Sequence, residues 1–396
     1  MSVIRAFAMR FDAPRPPSLS ETDLEDLTTR SQRRDGRLSP DALHIAPPRA
    51  YWTPLDAPVP GRLIEGTLGA DQQARFLLRL PKDWNGRLVV AASSGITDER
   101  TYDLYLSDYL LSRGYAFGVT DKGVRRAVLD GDTVLMPLVP ENSVRRWYSR
   151  LEELARFAGE AARRHYGRRP ERTYAAGLSN GGFLARRAAE AGSGIFDGAL
   201  EISGVLWRAD RGNLLRELPA ALRATARQPW DRAALRRAGF PCDDPRWDPV
   251  VSLYRGVYWE AVLHLFVGDL DPGYSGPIER YDLDKRPAAV REHIRSFENT
   301  GDLRLPLVCV AGARDLLISC AGHALAYRDL VASRGKAGLH RLILVEDASH
   351  IDTNRELFPF IEPLMPHAHR AFEELVSLVE GARAPAATAP SSRRPR

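Results

Sequence analysis

The run RTYAAGLSNGGFLAR at residues 172–186 decides how the rest of the chain is read. Its first five residues have the composition of a buried strand. Gly177, Gly181 and Gly182 then surround Ser179, and the apolar pattern switches to helical spacing after Asn180. A serine hydroxyl is a poor nucleophile until a base removes its proton, so it must project where a base and a carbonyl carbon can both reach it. A sharp strand-to-helix turn achieves this. Small residues are needed on either side of the serine because the backbone folds back tightly, and the amide after it then faces a developing oxyanion. Ser179 is therefore the candidate nucleophile, and the backbone N–H of Asn180 the first candidate oxyanion donor.

The same strand-then-helix alternation extends in both directions. Apolar strand runs are expected at 61–69, 74–80, 87–92 and 115–120 before the turn, and at 196–202, 307–311 and 341–345 after it. Helices are expected at 99–113, from 144 to 162, from 180 onward and at 368–378. In the second of these Val144, Trp147, Leu151, Leu154, Ala155, Ala158 and Ala162 recur every three or four residues, so one face packs on a sheet. This pattern predicts an α/β fold with a mostly parallel central sheet and helices on both faces.

The spacing breaks once. About a hundred residues separate the strand ending near 202 from the next at 307, far more than a crossover needs. This segment holds Trp207, Trp230, Trp247, Tyr254, Tyr258, Trp259, Tyr274 and Tyr281 and reads as helical at 213–227, 231–238, 258–267 and 287–300. We read 205–304 as an inserted helical cap, its aromatics forming a core or lining a pocket. The catalytic core then comprises 51–204 and 305–381. Residues 1–50, rich in Pro, Ser, Thr, Asp and Arg, read as an extended or partly disordered arm, and 382–396 as a disordered tail.

An activated serine needs a base and an acid to orient it. Asp315 lies just past an apolar strand, in LVCVAGARDLL at 307–317, and His350 ends the run RLILVEDASH at 341–350. A histidine on a loop beyond a strand end can bridge serine and carboxylate, with the carboxylate fixing its tautomer. Asp347 and Asp352 sit on the histidine's own loop. His323 reads as packing or capping, and His367 and His369 as solvated at a helix start. The second oxyanion donor is expected from the loop after 87–92, at Ser94 or Gly95, where small residues allow close approach.

Composition sets outer limits. The 396 residues carry 56 Lys and Arg against 51 Asp and Glu, for a net charge of +5. Only four of the bases are lysines, and the arginines alternate with acids along most of the chain, unlike the clustered basic footprint of a nucleic-acid binder. No apolar run approaches bilayer length. Cys242, Cys309 and Cys320 have no metal-ligand spacing, and the pair Asp269 and Asp271 lacks the rest of a calcium loop, so a solvated turn is expected there. Neither a metal nor an organic cofactor is expected, nor a nucleic-acid or membrane partner. With no signal peptide in view, the expected location is the cytoplasm. Nothing in the sequence sets the oligomeric state.

Taken together, GLSNGG at 177–182, GARD at 312–315 and ASH at 348–350 resemble the α/β-hydrolase superfamily over roughly residues 60–380. Within it, LPKDWNGRLVV at 80–90 and RPAAVREHIRSFENTGDLRLPLVCVAG at 286–312 resemble bacterial tannase and feruloyl-esterase-like proteins and hydroxybutyrate-oligomer hydrolases. The resemblance implies hydrolysis of a small-molecule ester through an acyl-enzyme on Ser179, under a lid. Members of the tannase group typically carry a disulfide between cysteines beside the serine and the histidine. Here those places hold Leu178 and Ile351, which agrees with a reducing compartment and leaves the polyphenol-ester substrate outside the resemblance. The same triad would serve acyl transfer or thioester cleavage, and a catalytically silent ligand-binding version of the fold is the alternative outside enzymes.

Overall fold

The computed structural model describes residues 19–34, 57–69, 74–95, 99–124, 126–129, 132–135, 138 and 142–381. A nine-stranded sheet organises them, in the order β1-β2-β3-β5-β4-β8-β9-β10-β11. The strands are β1 (Leu19–Leu24), β2 (Gly61–Leu68), β3 (Ala74–Pro81), β4 (Arg87–Ala92), β5 (Ala116–Thr120), β8 (Arg172–Leu178), β9 (Gly198–Ile202), β10 (Leu307–Gly312) and β11 (His340–Val345). β6 (Arg126–Leu129) and β7 (Asp132–Leu135) form a separate antiparallel hairpin that the sequence pattern had not suggested.

The six strands β5, β4, β8, β9, β10 and β11 are parallel, while β1, β2 and β3 extend one edge antiparallel. Parallel strands are buried on both faces, which explains their unbroken apolar runs. In β4, Leu88, Val90 and Ala92 join one apolar cluster, and Val89 and Ala91 join the other. The first cluster includes helices α3 (Val144–Tyr166) and α4 (Asn180–Ala191); the second takes in α2 (Glu99–Leu111) and α11 (Met365–Gly381). The α3 stripe read from the sequence is the buried face of that helix. The helix runs on to Tyr166, where Gly167 at φ 74° ends it by returning its N–H to the Arg163 carbonyl.

Part of the amino-terminal arm is structured. α1 is Thr29–Arg34, and Leu27 is fully buried in the α2/α11 cluster. The Thr29 amide and hydroxyl both donate to the Asp108 carboxylate, at 2.9 and 2.5 Å. Among the described residues the arm thus wraps the core. The tail at 382–396 lies outside the described residues.

Segment 205–304 is helical, as α5 (Leu214–Ala224), α6 (Arg232–Arg237), α7 (Asp248–Tyr254), α8 (Glu260–Leu270) and α9 (Ala288–Arg295), with a π turn at Arg255–Trp259 joining α7 to α8. Asn213 and Asp231 cap α5 and α6 through their side chains. Trp207, Trp247, Trp259, Tyr254 and Tyr281 are fully buried, in the same apolar cluster as α3 and α4. The segment therefore has no separate core; its aromatics continue the core on one face of the sheet. α10 (Ala326–Ser333) packs on that cluster as well.

The acids Asp269 and Asp271 do not form the solvated turn expected from the sequence. Asp269 is buried and accepts from the Ser143 hydroxyl and the Val144 amide, closing the start of α3. Asp271 pairs with Arg286 and accepts from the Tyr281 hydroxyl. Among the described residues, no group of three or more His, Cys, Asp or Glu could hold a metal ion, and no helix is long and apolar enough to cross a membrane.

Candidate active site

Parallel strands deliver all their carboxyl ends to one edge of the sheet, where open α/β sheets place their ligands. Ser179 follows β8 there, Ser93 follows β4, Asp121 follows β5, Asp315 follows β10 and His350 follows β11.

Ser179 has φ 57° and ψ −114°, a strained conformation for a residue with a side chain, and it is almost fully buried. The main chain maintains it. Its amide donates to the Ile202 carbonyl at 2.8 Å, and its own carbonyl accepts from Phe183 N at 3.0 Å. The glycines are required sterically. A Cβ on Gly177 would lie 2.0 Å from the Gly181 carbonyl, and one on Gly181 would lie 2.3 Å from the Ala92 oxygen. As the first residue of α4, Asn180 has an amide with no partner inside the helix.

Asp315 and His350 are buried and hydrogen-bonded, Oδ2 to Nδ1 at 2.7 Å. The other carboxylate oxygen accepts from the Leu317 and Ile318 amides, both at 2.8 Å. These two bonds, with the one to His350, fix the plane of the carboxylate. In the tautomer whose Nδ1–H donates to this carboxylate, Nε2 is the acceptor nitrogen of the ring. The histidine loop lies against the end of β10, since a Cβ on Gly312 would meet the Ala348 and Ser349 oxygens at 2.3 and 2.6 Å.

Side chains from the inserted segment hold these two loops. The Trp259 indole N–H donates to the Leu316 carbonyl, beside Asp315, at 2.7 Å. The Tyr254 hydroxyl accepts from Ser349 Oγ at 3.1 Å and from Asn354 Nδ2 at 2.6 Å, on either side of His350. Burial pushes the Tyr254 phenol well above its ordinary pKa, with the Asp315 charge adding to the effect, so the hydroxyl stays protonated. Tyr258 packs against both apolar clusters, and burial raises its phenol to about 12. No sequence signal distinguished these aromatics from the others in the segment.

The competing residues have structural work elsewhere. Asp352 accepts from the Leu364 and Met365 amides and starts α11, with burial raising its carboxyl to about 6. Asp347 faces Arg314. His323 accepts from Leu206 N at 2.8 Å and meets Glu217. His367 pairs with Glu362, and His369 stacks on Tyr109 instead of standing in solvent. Cys309 is buried in β10, where burial holds its thiol far above the usual range, and all three cysteines are free. Leu178 and Ile351 sit in one apolar cluster with Ala348.

The loop expected to carry the second oxyanion donor begins at Ser93, which is fully buried; Ser94 is also buried, and Gly95 has φ 42° with open space beside its Cα. Sequence reasoning missed Lys122. It is fully buried, has φ 66°, and donates from Nζ to the Ser93 carbonyl at 2.6 Å and the Ser93 hydroxyl at 2.7 Å. Its signal was a lysine between Asp and Gly just past a strand end, in a chain with only four lysines among 56 basic residues. A groove of about 730 Å³ lined by residues including Arg216, Glu217, Arg236 and Gly322 borders none of the candidate catalytic residues.

Comparison with known proteins agrees with this architecture. Residues 63–205 match the family described as tannase and feruloyl esterase. The mono(2-hydroxyethyl) terephthalate hydrolase of Piscinibacter sakaiensis is 30% identical over 147 residues, which is 34% of this chain and 24% of that protein. The match thus spans about a quarter of the relative's length. Feruloyl esterase B from Aspergillus oryzae superposes with a TM-score of 0.59 at 13% identity, covering 88% of this chain and 83% of that one. Tannin acyl hydrolase from Aspergillus niger gives 0.52 at 12% identity, covering 96% and 86%. The fold is that of the α/β-hydrolases, as the sequence resemblance implied.

Proposed function

We propose that the protein is a serine hydrolase that cleaves carboxylic esters through an acyl-enzyme on Ser179. The observation that carries this reading is the Asp315–His350 hydrogen bond at the strand edge where the strained Ser179 turn emerges. In the first half-reaction His350 Nε2 takes the Ser179 proton as Oγ attacks the ester carbonyl. Asp315 stabilises the imidazolium without accepting its proton, and the amides of Asn180 and of Ser94 or Gly95 hold the oxyanion. His350 then protonates the departing alkoxide. In the second half-reaction it activates the water that releases the acid and regenerates the serine.

Residues 205–304 act as a cap over this edge, and the substrate class is an ester with an apolar or aryl acyl group. The family description, tannase and feruloyl esterase, and the terephthalate ester named for the relative that is 30% identical support that class. Leu178 and Ile351 stand in one apolar cluster where the tannase group carries its cysteines, consistent with a cytoplasmic protein.

Turnover of p-nitrophenyl acetate, p-nitrophenyl butyrate and methyl ferulate by the wild type and by Ser179→Ala tests the reading. Loss of at least 10³-fold in kcat in the variant is expected, on the scale seen when an activated serine is removed. Residual turnover near the wild-type rate would overturn it.

A further inference from the structure

The oxyanion loop leaves the sheet next to a feature that neither the triad nor the fold requires. β4 and β5 pair in parallel with Ala92 opposite Thr120, which places Ser93 opposite Asp121. In a parallel ladder the residue opposite Asp121 bonds to its two chain neighbours: its N–H donates to the Thr120 carbonyl, and its C=O accepts from the Lys122 amide. The first bond is present at 2.9 Å. The second is replaced. Lys122 turns into the left-handed region, its amide goes to the Thr120 hydroxyl at 3.1 Å, and its own Nζ closes the rung on the Ser93 carbonyl at 2.6 Å.

This substitution has a directional consequence. In extended chain the N–H and C=O of one residue point to the same side, and those of the next residue to the other. Both Ser93 groups are held toward β5. The peptide is planar and trans, so the N–H of Ser94 is directed oppositely, toward β8. β8 is the other neighbour of β4, and Ser179 follows its end. The second Nζ bond, to Ser93 Oγ, ties the side chain of the same residue to the same amine.

We propose that Lys122 is a positioning residue for ester cleavage: by gripping both oxygens of Ser93 it aims the Ser94 amide at the oxyanion formed on Ser179. This selects Ser94 over Gly95 as the second donor. The residues around the amine fit a permanent structural grip. The Trp147 ring lies 5.3 Å from Nζ, and Asp121 is engaged by the Arg75 and Gly123 amides at 2.8 and 2.7 Å. Burial lowers the lysine to about 7 and raises Asp121 to about 6. Even a neutral amine keeps two N–H donors for the two Ser93 bonds. The proposal rests on the serine-hydrolase reading.

The test is Lys122→Met, measured per active site counted by titration with a fluorophosphonate, so that a smaller folded fraction does not count as slower chemistry. A 10- to 100-fold lower kcat per titrated site is expected with KM within threefold, together with a similar fall in the rate of Ser179 phosphonylation. Wild-type kcat per site and a wild-type labelling rate would overturn the proposal while leaving the serine reading intact. Label at a residue other than Ser179 in the wild-type protein would overturn both. If the Met variant gives no folded protein, Lys122→Gln, whose amide falls short of Nζ, is measured in the same way. A loss of at least fivefold in kcat per site supports the proposal, and a wild-type value overturns it.

Discussion

The two halves of the candidate site are held by different means. On the serine side, Ser179 is set by main chain alone: Gly177, Gly181 and Gly182 let β8, the turn and α4 pack at distances that leave no room for a Cβ, and backbone bonds hold its strained φ. On the acid and histidine side, side chains from a segment far away in sequence act as clamps: Trp259 on the Asp315 loop, Tyr254 on the His350 loop. The serine half is built from main chain of β8, α4 and the neighbouring strands β4 and β9. The other half takes hydrogen bonds from segment 205–304, which ties the inserted segment to the candidate acid and histidine loops.

If this contrast is right, the two halves differ in how they fail. Gly177→Ala has the largest effect. Its Cβ would lie 2.0 Å from the Gly181 carbonyl carbon and oxygen, a backbone clash that no rotamer change relieves. We expect kcat to fall by at least 10³-fold and stability to drop by about 1–3 kcal/mol or more, as for overpacking generally, read by esterase assay and thermal melting. Trp259→Phe keeps most of the ring and leaves the Leu316 carbonyl without its donor. A loss of about 1–3 kcal/mol should accompany a roughly tenfold drop in kcat, about 1.4 kcal/mol of barrier. Tyr254→Phe is the mildest, at roughly 1 kcal/mol and a few-fold in kcat. If either aromatic variant had wild-type kcat, the clamp would be structural only, and the contrast between the halves would disappear.

The same contrast explains what could be read in advance. The serine turn was legible because its constraints are local: glycines at fixed offsets, a strand before, a helix after. β4 was bounded to the residue, and Asp315 and His350 stood out as candidates because each lies on a loop that follows an apolar strand. β1 was missed because LSETDL alternates little and stands at the sheet edge, where only its pairing with β2 defines it. The continuous path from α7 through the π turn into α8 was read as a helix beginning at 258, since no residue code marks a π turn. The clamps at Tyr254 and Trp259 depend on contacts 57 to 100 residues apart in sequence, and among so many aromatics nothing in the sequence distinguished them. Lys122 could be noticed as an unusual lysine, but its role comes from a ladder register that exists only once β4 and β5 pair.

The serine itself is the point on which everything else depends. Incubating the wild-type protein with a fluorophosphonate and mapping the adduct by peptide mass spectrometry tests it most directly. One adduct per chain is expected, on the peptide containing Ser179, absent from Ser179→Ala and slowed when His350 is replaced by Gln. Stoichiometric labelling at any other residue, or no labelling of an enzyme that still cleaves esters, would contradict it.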